Sequence, residues 1–152
     1  MKIKLFKTKD EVTNHVANLL IEELKNKSDI ILGLATGSTF EKVYSKMIQQ
    51  IETQSLDLSK VVTFNLDEYV GLDKKYHNQS YLYYMNHHFF DKTNIKLINT
   101  NLPIDYVKDV PSGTEFPEYD KKIADLGMID VQILGLGENG HIGFNEPGST
   151  FD

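Results

Sequence analysis

His141 and Glu146 fall five residues apart in the segment Gly135-Leu136-Gly137-Glu138-Asn139-Gly140-His141-Ile142-Gly143-Phe144-Asn145-Glu146-Pro147-Gly148. The same segment holds a second carboxylate, two side-chain amides and five glycines. A histidine beside a carboxylate can shuttle protons, because the carboxylate fixes the imidazole tautomer and strengthens it as a base. Turn formation alone explains Asn, Gly and Pro, but it does not call for His141 or Glu146. The segment follows Val131-Gln132-Ile133-Leu134, an apolar run expected to be a buried strand. In open α/β sheets, ligands bind at the C-terminal ends of the strands.

Two further segments carry chemistry at the same kind of position. Gly33-Leu34-Ala35-Thr36-Gly37-Ser38-Thr39 follows an apolar run and precedes a helical pattern. Thr36, Gly37, Ser38 and Thr39 offer hydroxyls, close backbone approach and a helix N-terminus, the parts from which an anion site is made. The plainer reading is a helix cap, with Ser38 and Glu41 as a capping box. The segment lacks the Gly-Lys-Ser/Thr of a Walker loop and the glycine spacing of a dinucleotide fingerprint. Asn65-Leu66-Asp67-Glu68-Tyr69 puts two adjacent carboxylates at the end of a third run. Burial would raise one of them and make it a base near neutral pH; the alternative is a solvated acidic turn.

These loops need a scaffold that gathers them. Residues 2–6 have the alternation of a short strand, and Thr8-Lys9-Asp10-Glu11 fits a capping box. Val12, Val16, Leu19, Leu20 and Leu24 then recur at helical spacing to about residue 27. Residues 29–34 form a near-continuous apolar run, as in a strand covered on both faces. Phe40, Val43, Tyr44, Met47 and Ile51 make a second helical stripe, and residues 60–65 a third buried strand. Helices are expected over 79–90 and 116–126, a short strand over 95–98, irregular chain over 99–113 and a last strand over 129–134. Strands alternating with helices imply an α/β fold, a doubly wound, mostly parallel, Rossmann-like sheet with right-handed crossovers. Its strand-to-helix loops all emerge at one edge. Residues 1–152 are expected to form a single domain.

Bulk properties narrow the function classes. Formal net charge is −6, and the basic residues are scattered, which argues against nucleic acid as a partner. No run of 18 apolar residues is present, so no membrane span is expected. The chain has no cysteine, which excludes disulfides and thiolate metal sites and fits a reducing, cytoplasmic location. His87 and His88 are adjacent, so a helix cannot present both to one metal ion. With Phe89 and Phe90 they look like a helix end, and Tyr81, Tyr83 and Tyr84 like core and rim. No metal or organic cofactor is expected.

Taken in order, segments 33–39, 65–69 and 135–147 closely resemble the glucosamine-6-phosphate deaminase family, the isomerising enzymes of amino-sugar breakdown. Tyr76-His77-Asn78-Gln79-Ser80-Tyr81 is similar as well. The resemblance covers nearly the whole chain and implies conversion of glucosamine 6-phosphate and water to fructose 6-phosphate and ammonia. It implies that Asp67 moves the proton between C2 and C1 and that His141, assisted by Glu146, opens the pyranose ring. Asn139 falls where some members have aspartate and others asparagine. Residues 36–39 match a phosphate-contacting segment.

Members of the family continue well beyond the last motif, adding strands, helices and a phosphate-contacting lysine. The sequence is therefore expected to be C-terminally truncated, with weak or no turnover alone. An apolar face left open in this way would favour homo-oligomers. Two rivals remain at this point. A 6-phosphogluconolactonase-like hydrolase shares the fold and phosphate loop but lacks Asn-Leu-Asp-Glu-Tyr and departs after Gly-His. A non-catalytic sugar-phosphate-binding module would keep the pocket without the chemistry.

Overall fold

The computed structural model describes residues 2–69, 71–72, 74–103 and 117–150. Helix α1, Lys9–Asn26, leads into strand β1, Ile31–Leu34; α2, Ser38–Thr53, leads into β2, Val62–Asn65. A 3-10 turn at Lys74–Gln79 precedes α3, Tyr81–His88, and β3 is Thr100–Asn101. Helix α4, Pro117–Asp125, precedes β4, Val131–Gln132. The four strands pair in parallel in the order β3-β2-β1-β4.

Side-chain alternation along the strands sorts the core into two faces. Leu32, Leu34 and Ile133 pack with Ala17, Leu20 and Ile21 of α1, Phe40, Tyr44 and Met47 of α2, and Met85 of α3. Ile31, Val62 and Phe64 point the other way, onto Tyr119 and Ile123 of α4. The sheet is thus doubly wound, with α4 on the opposite face. Each fully buried aliphatic or aromatic side chain contributes about 1.5–3 kcal/mol toward the fold. Strand β1 lies between β2 and β4, and the chain passes from one side of it to the other through α4. The C-terminal ends of β1 and β4 therefore flank a topological switch point.

Element ends follow local chemistry. The Thr8 hydroxyl accepts from the Glu11 N–H at 3.1 Å and caps α1. The Glu11 carboxylate reaches back one residue further than a capping box requires, accepting from the Lys7 N–H at 2.8 Å. Helix α2 does not carry the Ser38–Glu41 box: Gly37 is its N-cap, at φ 106°, with no side-chain cap. Only a glycine adopts that conformation at little cost, and Ser38 is already inside the helix. Asp130 ties β4 to β1, accepting from the Ile31 N–H at 2.8 Å and from Lys27 Nζ at 2.7 Å.

Other expectations shift. Residues 2–6 form no strand: Ile3 and Leu5 are 73% and 93% exposed, and both flanks of β1 are already occupied by β2 and β4. The buried stripe of α1 is Thr13, Ala17, Leu20, Ile21 and Leu24. Val12 and Leu19 are exposed and border an apolar groove of about 690 Å³ beside β4. The strand expected over 95–98 occurs instead at Thr100–Asn101, after a 3-10 turn at Leu97–Asn99. Of the stretch expected to be irregular, 104–113 lies outside the described residues, as does Phe116. No helix among the described residues is long and apolar enough to cross a membrane.

Candidate active site

The loops after β1, β2 and β4 meet at the sheet's C-terminal edge around a cleft of about 590 Å³. Its lining includes Thr36, Gly37, Ser38 and Thr39 from the first loop, Asp67 from the second, and Gly137, Glu138 and His141 from the third. All three segments singled out in the sequence are present, because every strand in a parallel sheet delivers its outgoing loop to the same edge.

The first loop is held from beneath by two tyrosines. The buried Tyr44 hydroxyl donates to the Ala35 carbonyl at 2.6 Å, and the Tyr84 hydroxyl donates to the Gly37 carbonyl at 2.8 Å. Burial raises both phenols above the ordinary tyrosine range, so they remain neutral donors. With Gly37 lacking a side-chain cap, the Ser38 and Thr39 N–H groups open α2 without a protein acceptor among the described residues. That is the arrangement a helix N-terminus offers an anion.

In the second loop the two carboxylates part company. Glu68 is only 9% exposed and accepts three backbone N–H groups, from Tyr69 at 2.7 Å, Tyr81 at 2.9 Å and Leu82 at 2.8 Å. It therefore joins this loop to the start of α3. Asp67 makes no hydrogen bond or ion pair with another described residue and faces the cleft. Partial burial, and then the Glu68 charge, push its carboxyl above the usual carboxylate range. A carboxylate so placed is a stronger base than one in water.

The third loop builds a relay. Asn139 Nδ2 donates to Glu146 Oε2 at 2.6 Å, and Asn139 Oδ1 lies 2.7 Å from His141 Nδ1. Glu146 Oε1 is farther from the imidazole, at 3.7 Å, so the amide is the direct partner. An amide oxygen can only accept, which assigns the proton to Nδ1 and leaves Nε2 with its lone pair. A Cβ on Gly137 would stand 2.3 Å from the imidazole, so only glycine lets the ring lie there. Gly143, at φ 58°, brings the loop within 3.7 Å of Asp67 Oδ2, measured from where its Cβ would stand.

With that geometry, comparison with known proteins gives a consistent answer. Residues 7–144 match the model for glucosamine-6-phosphate isomerases/6-phosphogluconolactonase. The chain belongs to that family. A glucosamine-6-phosphate deaminase of Malacoplasma penetrans is 45% identical over 94% of this chain and 59% of its own length. One of Clostridium perfringens is 45% identical over 99% of this chain and 61% of its own. The chain therefore spans about three-fifths of the length of these curated relatives.

Among solved structures of the family, a monomeric glucosamine-6-phosphate deaminase superposes with a TM-score of 0.88 at 38% identity. That match covers 99% of this chain and 61% of the other. A Thermotoga maritima 6-phosphogluconolactonase, at 23% identity and a TM-score of 0.68, shares the fold.

Sequence reasoning missed the part that tyrosines play at this cleft. The ring of Tyr81 lies 4.8 Å from that of Tyr69 and 6.3 Å from that of Phe144. The Tyr81 hydroxyl is 3.1 Å from the Tyr69 hydroxyl. Tyr81 thus meets loops two and three at the cleft. Helical spacing marks Tyr44 and Tyr84 as core or rim, and only the fold shows their hydroxyls reaching the first loop. At the end of α3, His87 stacks on Tyr83 and His88 lies tilted against Tyr84. No group of three or more His, Asp or Glu among the described residues is arranged to hold a metal ion.

Proposed function

We propose that this chain carries the catalytic half-site of a glucosamine-6-phosphate deaminase, which converts glucosamine 6-phosphate and water to fructose 6-phosphate and ammonia. The observation that carries the reading is the pairing, across one cleft, of an unpartnered and partly buried Asp67 with a His141 whose Nδ1 is engaged. Isomerisation of an amino aldose needs two separate proton-transfer devices, and these two groups supply them.

His141, with Nε2 free and oriented through Asn139 and Glu146, takes the anomeric hydroxyl proton and returns one to the ring oxygen, giving the open-chain aldehyde. Asp67 then removes the proton from C2 and delivers it to C1, while one proton of the amino group passes to O1. The resulting 2-imino sugar takes up water and loses ammonia to leave the ketose. Thr36, Gly37, Ser38 and Thr39, with the N-terminus of α2, receive the phosphate. Every step is a proton transfer, a hydration or a proton-assisted elimination, so the reading calls for no metal or organic cofactor. A cytoplasmic location and association of copies belong to the same reading. They rest on the cysteine-free composition and on the apolar groove beside β4.

The test is product analysis with glucosamine 6-phosphate, following ammonia and fructose 6-phosphate together, beside the Asp67→Asn variant. Ammonia and ketose in equal amounts, lost in Asp67→Asn with sugar-phosphate binding retained, are expected. Hydrolysis of 6-phosphogluconolactone without ammonia release would move the chain to the lactonase branch. Binding of the sugar phosphate without turnover, even with the remaining length of a relative supplied, would leave a binding module.

A further inference from the structure

Tyr81 and Phe144 line the cleft together with Asp67, and the proton transfers above use neither ring. Local chemistry puts both rings there. The Glu68 carboxylate accepts from the Tyr69 N–H at 2.7 Å and the Tyr81 N–H at 2.9 Å, so it clamps two ring-bearing residues side by side. Gly143 and Phe144 are the central pair of a tight turn, closed by the Asn145 N–H on the Ile142 carbonyl at 3.0 Å. Gly143, at φ 58°, supplies the conformation that such a turn needs at its first central position. The turn presents Phe144 to the other two rings, with centroids 5.8 Å from Tyr69 and 6.3 Å from Tyr81.

These rings adjoin Asp67. A Cβ on Gly143, the residue before Phe144, would stand 3.7 Å from Asp67 Oδ2. Burial, then the Tyr69 hydroxyl, then the Asp67 charge hold the Tyr81 phenol above the ordinary tyrosine range. Tyr81 therefore stays neutral, and its ring face carries negative potential.

A carboxylate flanked by aromatic faces suits an organic cation, because the charge and the ring quadrupoles attract it together. With centroids 6.3 Å apart, one ligand ammonium can lie within about 6 Å of both rings, the range of a cation–π contact. A hydroxyl of similar size has no net charge and gains little from either ring.

We propose that Tyr81 and Phe144, backed by Tyr69, are specificity-determining residues that select a primary ammonium on the ligand over a hydroxyl. The proposal rests on the amino-sugar reading above. It gives the choice of the amine to ring faces from α3 and the third loop. It also sets the amino-bearing carbon beside the carboxylate that takes its proton.

The test is calorimetry of the 152-residue chain with glucosamine 6-phosphate and glucose 6-phosphate, below and above the titration of the sugar amine. It is repeated on Tyr81→Leu, Tyr81→Phe and Phe144→Leu. The unaltered chain is expected to prefer glucosamine 6-phosphate while the amine is charged and to lose most of that preference once it is neutral. Each leucine variant should cut the preference about threefold or more, the scale of one cation–π contact. Tyr81→Phe keeps the ring and should keep the preference. A preference unchanged in either leucine variant overturns the assignment and leaves the phosphosugar reading standing. So does a loss in Tyr81→Phe equal to that in Tyr81→Leu, which would credit the hydroxyl instead of the ring. Equal affinity of the unaltered chain for the two sugars at both pH values also overturns it, while failure to bind either sugar phosphate overturns both readings.

Discussion

At the scale of single residues, the site depends on giving like groups unlike surroundings. Asp67 and Glu68 are adjacent carboxylates, yet Glu68 accepts three backbone N–H groups and Asp67 accepts none from the described residues. Burial raises the Asp67 carboxyl, so in the pH range between its unfolded and folded titrations the native state binds more protons than the unfolded state. Stability attributable to this group therefore falls as pH rises through that range. Asp67→Asn should remove the penalty: its Tm is expected to exceed that of the unaltered chain at neutral pH. The gap should shrink when both are measured below the ordinary carboxylate range. A Tm for Asp67→Asn at or below that of the unaltered chain at neutral pH would show that burial exacts no such cost. The burial that strengthens Asp67 as a base thus works against the fold.

At the scale of elements, the loops are precise because each is tied to a helix or strand that is itself packed. Tyr44 and Tyr84, from α2 and α3, hold the first loop by its carbonyls. Glu68 closes the start of α3, where the Tyr81 and Leu82 N–H groups would otherwise be orphaned. Glu68→Gln keeps the size but removes the charge and replaces one acceptor by a donor. It is expected to destabilise the chain by about 1–3 kcal/mol, the cost of leaving buried donors without an acceptor. Chemical denaturation should show a lower midpoint with an unchanged slope, and amide exchange at Tyr81 and Leu82 should accelerate. Wild-type exchange at those two amides would mean that Glu68 does not hold them.

At the scale of the whole molecule, the order β3-β2-β1-β4 places the loops after β1 and β4 on either side of the switch point, with Asp67 arriving from the adjacent β2. The cleft they form is open: the His141 and Glu146 side chains are 42% and 60% exposed. Charge development at such groups is stabilised less well than in a water-excluded site. The curated relatives are longer, this chain spanning 61% of the Clostridium perfringens protein. Ammonia release per molecule by the 152-residue chain is therefore expected to fall well below that of a full-length relative assayed alongside. Equal rates would show that the three loops suffice as they stand.

The chain's order of amino acids settled the fold class, the second helical stripe and the three chemical segments, because each depends on periodicity or on residue type within a few positions. The buried stripe of α2 is the one its spacing implies, Phe40 through Ile51. Sequence could not decide which apolar face of α1 is covered, since Val12 and Leu19 fit helical spacing as well as Ala17 and Ile21 do. Nor could it place residues 2–6 outside the sheet, because alternation says nothing about whether a neighbouring edge is free. The tertiary structure alone decided what converges: three loops at one strand edge, tyrosine hydroxyls from two helices beneath the first of them, and the rings of Tyr81 and Phe144 beside Asp67. Proximity in space is set by topology, and a one-dimensional pattern contains residue types and spacing but no distances.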